Sequence, residues 1–449
     1  MESVEKLIQL ADEARDAERF EEALEYYRQA AEQGDGNAMN ELGVFYKMGK
    51  GIAKDTTQAI HWFEKSAETG EALAMLNLGI LYEDEQFDGH DEKKAAEWFK
   101  RLEKSGDGST MCIAGYLYAE GEEKVKQDKA RAFAWYKKAA DAGDAVAMSA
   151  VGYYYEHGDG VEQDKEKAIE WYLKAAEAGS GVAMNNMGYA YEHGEGVEQN
   201  LGKAVEWYRK AAKAGDADAM FDLGDAYDFG KGVEVDKKEA VSWYRKAAEK
   251  GNADAMCALA IAYNSGDGLP RDLTAAAAWY EKAAVAGEAF AMYALGTLYL
   301  NDEYSDKDET KATEWYLRGA EAGDPSAMNG LGFSYDHGRG VKENKEKAVE
   351  WFKKAAEAGD TDGMCSLSYA YLYGEGIEKD IEKGIEWLQK AADMGASDAM
   401  FAFGVLYENG NGVPQDKEKA LSWYRKAAEA GDKDAAEKVK ELERTAESK

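Results

Sequence analysis

Tryptophan sits on a lattice in this chain. The eleven residues Trp62, Trp98, Trp135, Trp171, Trp207, Trp243, Trp279, Trp315, Trp351, Trp387 and Trp423 are spaced 36 apart, with one interval of 37 between Trp98 and Trp135. Methionine runs in step at Met39, Met75, Met111, Met148, Met184, Met220, Met256, Met292, Met328, Met364 and Met400, which uses eleven of the fifteen Met residues. Two residue types locked to one period define a repeat array. Such a chain buries its core by stacking each unit on the next, so its 449 residues need not divide into ordinary domains.

One unit, residues 180–215, reads SGVAMNNMGYAYEHGEGVEQNLGKAVEWYRKAAKAG. Its first half places Ala183, Met187, Tyr191 and Gly194 at i, i+4, i+8 and i+11. Its second half places Ala204, Trp207, Tyr208, Ala211, Ala212 and Gly215 at i, i+3, i+4, i+7, i+8 and i+11. Both are amphipathic helical periods. The turn Gly194-Glu195-Gly196-Val197 separates them, and Gly215 is placed to end the second helix in the left-handed region. Each unit is therefore expected to be a helical hairpin.

A glycine recurs in the middle of the first helix, at Gly43, Gly79, Gly115, Gly152, Gly188, Gly224, Gly296, Gly332 and Gly404. In a helix interior it costs about 0.5–1 kcal/mol, so a close helix–helix approach is expected there. The exceptions, Ala260 and Ser368, are also small. A matching small residue, usually Ala, stands three before each Trp, as at Ala59, Ala168 and Ala348, with Gly384 a variant.

The strings A-M-x-x-L-G-x-x-Y-x-x-G-x-G-V and K-A-x-x-W-Y-x-K-A-A-E-x-G stand nearly whole in residues 217–251 and 398–431. They resemble the Sel-one-like repeat, a relative of the tetratricopeptide repeat, over about residues 37–431. The resemblance implies an all-α, right-handed superhelical solenoid whose first helices line the concave surface. It also implies roles in bacterial signalling, envelope assembly or host interaction. The expected organisation is an N-terminal helical cap over 1–36, eleven repeats over 37–431 and a capping helix over 432–449. The N-terminal pair carries Phe20, Ala23, Leu24, Tyr27 and Ala31 but no Trp. Three loops depart from the pattern. Residues 83–91 and 300–308 lose the paired glycines and gain Phe87 and Tyr304, and residues 121–128 hold the single insertion.

Lys plus Arg total 55 against 88 for Asp plus Glu, a formal net charge of −33. A surface this acidic repels phosphate backbones and anionic headgroups, so neither nucleic acid nor membrane is an expected partner. No run of about 18 apolar residues suggests a membrane span. The start, Met1-Glu2-Ser3-Val4-Glu5-Lys6, lacks the features of a signal peptide, which makes the cytoplasm the simplest location. A leader removed beforehand stays open.

Little in the chain suggests reaction chemistry. Cys112, Cys257 and Cys365 each follow a lattice Met, in repeats far apart, and are expected to be free thiols. Paired cysteines that close a disulfide within each repeat, as the resemblance would allow, are absent. His157, His193 and His337 share one position, two after the lattice Tyr, and suit turn hydrogen bonding better than zinc. Turns such as Gly158-Asp159-Gly160 have acidic flanks that disfavour phosphate. No nucleophile–base pair stands out, and no cofactor or metal is expected.

Packing positions repeat in an array, whereas positions free to meet a partner vary. The position after the lattice Met holds Asn185, Phe221, Tyr293 and Asn329 among others. The position after the lattice Gly holds Tyr116, Tyr153, Tyr189, Phe333 and Tyr369. With Asn186 these residues form the expected partner-binding set, because aromatic faces supply area and amides pair with peptide backbone. The same rings could instead pack between hairpins. The expected function is a non-enzymatic scaffold or adaptor for a protein or peptide. A hydrolytic enzyme or small-ligand sensor on the array is the alternative, and self-association is a third reading.

Overall fold

The computed structural model describes residues 2–121 and 125–447, with side chains to residue 444. Among the described residues all regular structure is helical, in twenty-five α-helices from Val4–Asp16 to Lys433–Glu447. Consecutive helices pair into hairpins, as Gly36–Met48 does with Thr56–Glu68, and within each compact unit hairpins pack on their neighbours. The chain divides into two compact units, residues 1–223 with 231–234, and residues 224–230 with 235–449. Each unit is a solenoid of stacked hairpins.

Local chemistry sets the helix ends. In the hairpin Ala145–His157 and Lys165–Glu177, Asp144 and Asp164 accept hydrogen bonds from the backbone N–H groups of Ala147 and Lys167. These bonds satisfy donors that the first turn would leave unpaired. Gly158 then ends the first helix at φ 74°, a conformation that costs glycine nothing.

The mid-helix glycine serves the close approach that the sequence implies. A Cβ on Gly152 would lie 2.6 Å from the ring of Tyr172, the residue after the lattice Trp. Gly43, Gly224 and Gly332 meet Phe63, Tyr244 and Phe352 in the same way. The second glycine of each G-x-G turn has a similar purpose. A Cβ on Gly196 would lie 2.5 Å from the carbonyl oxygen of Lys165, at the start of the preceding repeat's second helix. The turn is thereby pressed onto its neighbour.

Trp135 and Trp171 are buried and the other nine tryptophans are half-buried. Three residues after each of the eleven stands a Lys or Arg whose cationic group lies 3.6–4.9 Å from the centre of that ring. Cation–π attraction and the aliphatic stems together shield the indoles from water.

The N-terminal helices Val4–Asp16 and Phe20–Glu32 pack together as a hairpin. Tyr27 takes the buried place that Phe63 holds one repeat later. The two divergent loops fold inward. Phe87 meets Tyr82 edge-on at 6.1 Å, and Tyr304, buried, meets Tyr299 at 5.5 Å. An aromatic plug thus replaces the paired glycines. The insertion expected within 121–128 falls partly on residues 122–124, which lie outside the described residues.

Candidate partner-binding surface

The two candidate columns separate in space. The ring after the lattice Gly is open to solvent: Tyr116, Tyr153, Tyr189, Phe333 and Tyr369 are 43–55% exposed. The position after the lattice Met is less open, packing on its own hairpin at Tyr293 and on the next repeat at Asn329. Asn185, Phe221 and Tyr293 are half-buried and Asn329 is buried. Asn329 Oδ1 accepts a hydrogen bond from Ser366 Oγ at 3.1 Å, and Asn40 Oδ1 accepts one from Asn77 Nδ2 at 3.0 Å. In both cases the donor stands two after the next repeat's Met. Asn329, one of the expected binding residues, is thus engaged between two repeats. A buried amide must be satisfied internally, and this one is.

The exposed rings are braced from below. Tyr153 stacks on His157 at 4.1 Å and Tyr189 on His193 at 4.0 Å, one helical turn apart. Phe333 and Tyr369 meet His337 and Tyr373 at 6.0 and 4.3 Å. Each of His157 and His193 also places Nδ1 3.0 Å from the carbonyl oxygen of its tyrosine partner, in the last turn of the helix. The recurring histidine thus orients an aromatic side chain. Among the described residues no group of three metal-ligating side chains is assembled.

Two cavities open beside these rings. In the first unit, a cavity of 440 Å³ lies between Tyr153 and Tyr189, with Glu156, Lys165, Asn186 and Glu195 at its polar edge. In the second unit, a cavity of 520 Å³ lies between Phe333 and Tyr369, with Asp336, Lys345, Ser366 and Glu375 at the matching places. Each pair of residues differs by 180 positions, five repeats of 36. Asn186 is half-buried and lines the first cavity, whereas Tyr293 lines a separate one with Tyr280 and Thr297.

Fixed charges shape both cavities. Lys165 Nζ lies 3.2 Å from Glu195. Lys345 Nζ lies 3.0 Å from Asp336 and 3.3 Å from Glu375. The hydrogen bond to Asp336, supplemented by Glu375, raises the Lys345 ammonium above its ordinary range. Glu156 is held from below by the buried Tyr172 hydroxyl, which donates to it at 2.6 Å. These charges were missed in the sequence, although a signal exists. The acid inside a G-x-G turn pairs with the Lys that opens the preceding repeat's second helix, as Asp159 does with Lys129 at 2.8 Å.

Of the three cysteines, Cys257 is buried, Cys112 is half-buried, and Cys365, half-buried, lines the second cavity. All three are free, and burial, with nearby carboxylates, pushes their thiols up to about 12. The thiolate, the reactive form, is correspondingly suppressed.

Helical hairpins in register, with an aromatic row on their first helices, define a repeat solenoid of the kind that presents an extended surface. The chain belongs to the Sel1 repeat family: the Sel1 repeat pattern matches twelve segments, from 15–35 and 36–70 through to 397–432. The first segment falls within the residues expected to form the N-terminal cap. The chain is similar to c5321, a protective antigen present in uropathogenic Escherichia coli strains and displaying an SLR fold. That likeness is 35% identity over 94% of this chain and 90% of that one, with a TM-score of 0.64. A Sel1 repeat protein from Oxalobacter formigenes is 36% identical over 56% of this chain and 99% of its own, with a TM-score of 0.49. No curated protein matches the chain. No helix among the described residues is long and apolar enough to cross a membrane.

Proposed function

We propose that the protein is a non-enzymatic interaction scaffold that binds a protein or peptide partner along the exposed face of its first helices. One observation carries this reading: at the position after the lattice Gly, five large aromatic rings stand open to solvent. Exposed aromatics set in a row are expensive in water and characteristic of binding surfaces. Tyr153 and Tyr189 form the centre of the face in the first unit, with Tyr116 on the same register. Phe333 and Tyr369 form it in the second. Phe221, Tyr293 and Asn185, half-buried, contribute edges, and Asn186 offers an amide to partner backbone.

The test is crosslinking capture from lysate of the native host, with the wild-type chain and a Tyr153→Ala, Tyr189→Ala variant whose helix content is checked by circular dichroism. A partner held by the wild type and lost from the folded variant is the expected result. A partner retained equally by both would remove these rings from the interface. Failure to retain any partner would favour the sensor or self-association readings.

A further inference from the structure

The partner's chemistry can be narrowed, on the footing of the scaffold reading above. The geometry points to two equivalent notches, one in each unit and five repeats apart in sequence, each accepting a cationic side chain from a basic peptide segment.

Each notch has two aromatic walls and an acidic rim. The first has Tyr153 and Tyr189 with Glu156 and Glu195; the second has Phe333 and Tyr369 with Asp336 and Glu375. In each, two carboxylates stand against one lysine, Lys165 or Lys345, which leaves one negative charge in excess. A ring face beside a carboxylate is the environment that binds guanidinium and ammonium groups, by cation–π attraction and charge-assisted hydrogen bonding together.

The chain uses the same interaction within itself. Every lattice Trp has its own Lys or Arg over the ring, and Tyr155, Tyr335 and Tyr371 carry Lys167, Lys347 and Lys383 at 5.2–5.6 Å. Among the described residues no Lys or Arg lies over Tyr153, Tyr189, Phe333 or Tyr369. The outward rings that border carboxylates are thus the ones without an internal cation. The net charge of −33 acts in the same direction, drawing basic segments in and turning acidic ones away. An arginine suits the notch better than a lysine, because its planar fork can stack on tyrosine and engage Glu195 or Glu375 at once.

The test is fluorescence anisotropy on the full chain at about 0.15 M salt, where bulk charge attraction is screened beyond about 8 Å. The probe is a short fluorescein-labelled peptide of arginines spaced by glycine and serine, with a counterpart carrying glutamine in place of arginine. The arginine peptide should bind saturably at two sites per chain, and the glutamine peptide at least about tenfold more weakly. Tyr153→Leu with Tyr189→Leu should remove one site, and adding Phe333→Leu with Tyr369→Leu should remove both. All four changes keep every charge and lie on exposed side chains, and unchanged circular dichroism would confirm the fold. Equal binding by the two peptides, arginine binding indifferent to the four substitutions, or no arginine binding would each overturn the inference. The scaffold reading would survive those results if its captured partner were still lost from the Tyr153→Ala, Tyr189→Ala variant, and would fall with them if it were not.

Discussion

A mid-helix glycine in this protein is one half of a contact whose other half is an aromatic ring. Gly152 leaves no room for a methyl group, and the ring it meets is not free to retreat, because the Tyr172 hydroxyl is anchored on Glu156 at 2.6 Å. Gly152→Ala should therefore lower stability by about 1–3 kcal/mol, as overpacking does, read as a fall in the urea midpoint at unchanged slope. The chain supplies a compensating pair: where the glycine becomes Ser368, the facing ring becomes Leu388. Adding Tyr172→Leu to Gly152→Ala should recover part of the loss. If the double variant shows the simple sum of the two singles, the two residues are not coupled. The need for a small residue was legible in the sequence; the identity of its neighbour was not, since the contact joins residues 20 apart on different helices. The cysteines give a second residue-scale expectation. With their thiols pushed up to about 12, Cys112, Cys257 and Cys365 should alkylate with iodoacetamide at neutral pH at under about a tenth of the rate of free cysteine. Unfolding in urea should restore the rate, and fast labelling of the native protein would show that the sites open locally.

At the scale of the element, the hairpin and both helix ends could be read from periodicity and capping residues, while exposure could not. The residues after the Met and after the Gly lie four apart, nearly on one stripe, and a single helix gives no sign that one end of that stripe meets the next hairpin. Asn329 and Tyr153 differ in burial because of a neighbour contributed by another repeat. The inward turn of Phe87 and Tyr304 was hidden for the same reason. Capping offers a sharper test. Asp324 accepts the Ala327 N–H at 2.6 Å at the start of Pro325–His337, and burial raises its carboxyl above the ordinary range. A carboxylate with a raised folded-state pKa opposes folding at neutral pH, and that opposition fades as pH falls through the raised value. Asp324→Ala should lose about 1 kcal/mol with the cap. Asp324→Asn keeps an acceptor without the charge, as Asn252 does for Ala255, and should match or exceed the wild type in thermal midpoint at pH 7. An Asn variant as unstable as the Ala variant would show that the charge itself stabilises the helix start.

For the whole molecule, repetition multiplies whatever a single unit does, because solenoid stability is close to a sum over repeats and their interfaces. Buried tyrosine is the clearest case. Burial holds Tyr154 and Tyr280 at about 12 against an ordinary value of 10, and Tyr27, Tyr118, Tyr172, Tyr208 and Tyr244 higher still, most of them helped by a hydrogen-bonded carboxylate. Between the ordinary and the raised values the folded chain keeps protons that the unfolded chain releases. The unfolded state then binds fewer protons, so stability declines with rising pH. The contribution is complete below about pH 10 and is lost progressively above it, in repeats throughout both units at once. A steep fall in the urea midpoint above about pH 10 is expected. Tyrosinate absorbance from these residues should appear together with the loss of helical circular dichroism. Tyr172→Phe with Tyr208→Phe should flatten that slope by removing two of the titrating groups. If the whole tyrosine set ionised near its ordinary value with the helices intact, the rings would be reachable by water in the folded state, and the account of Tyr172, Tyr208 and Tyr244 as the buried partners of the glycine lattice would fail.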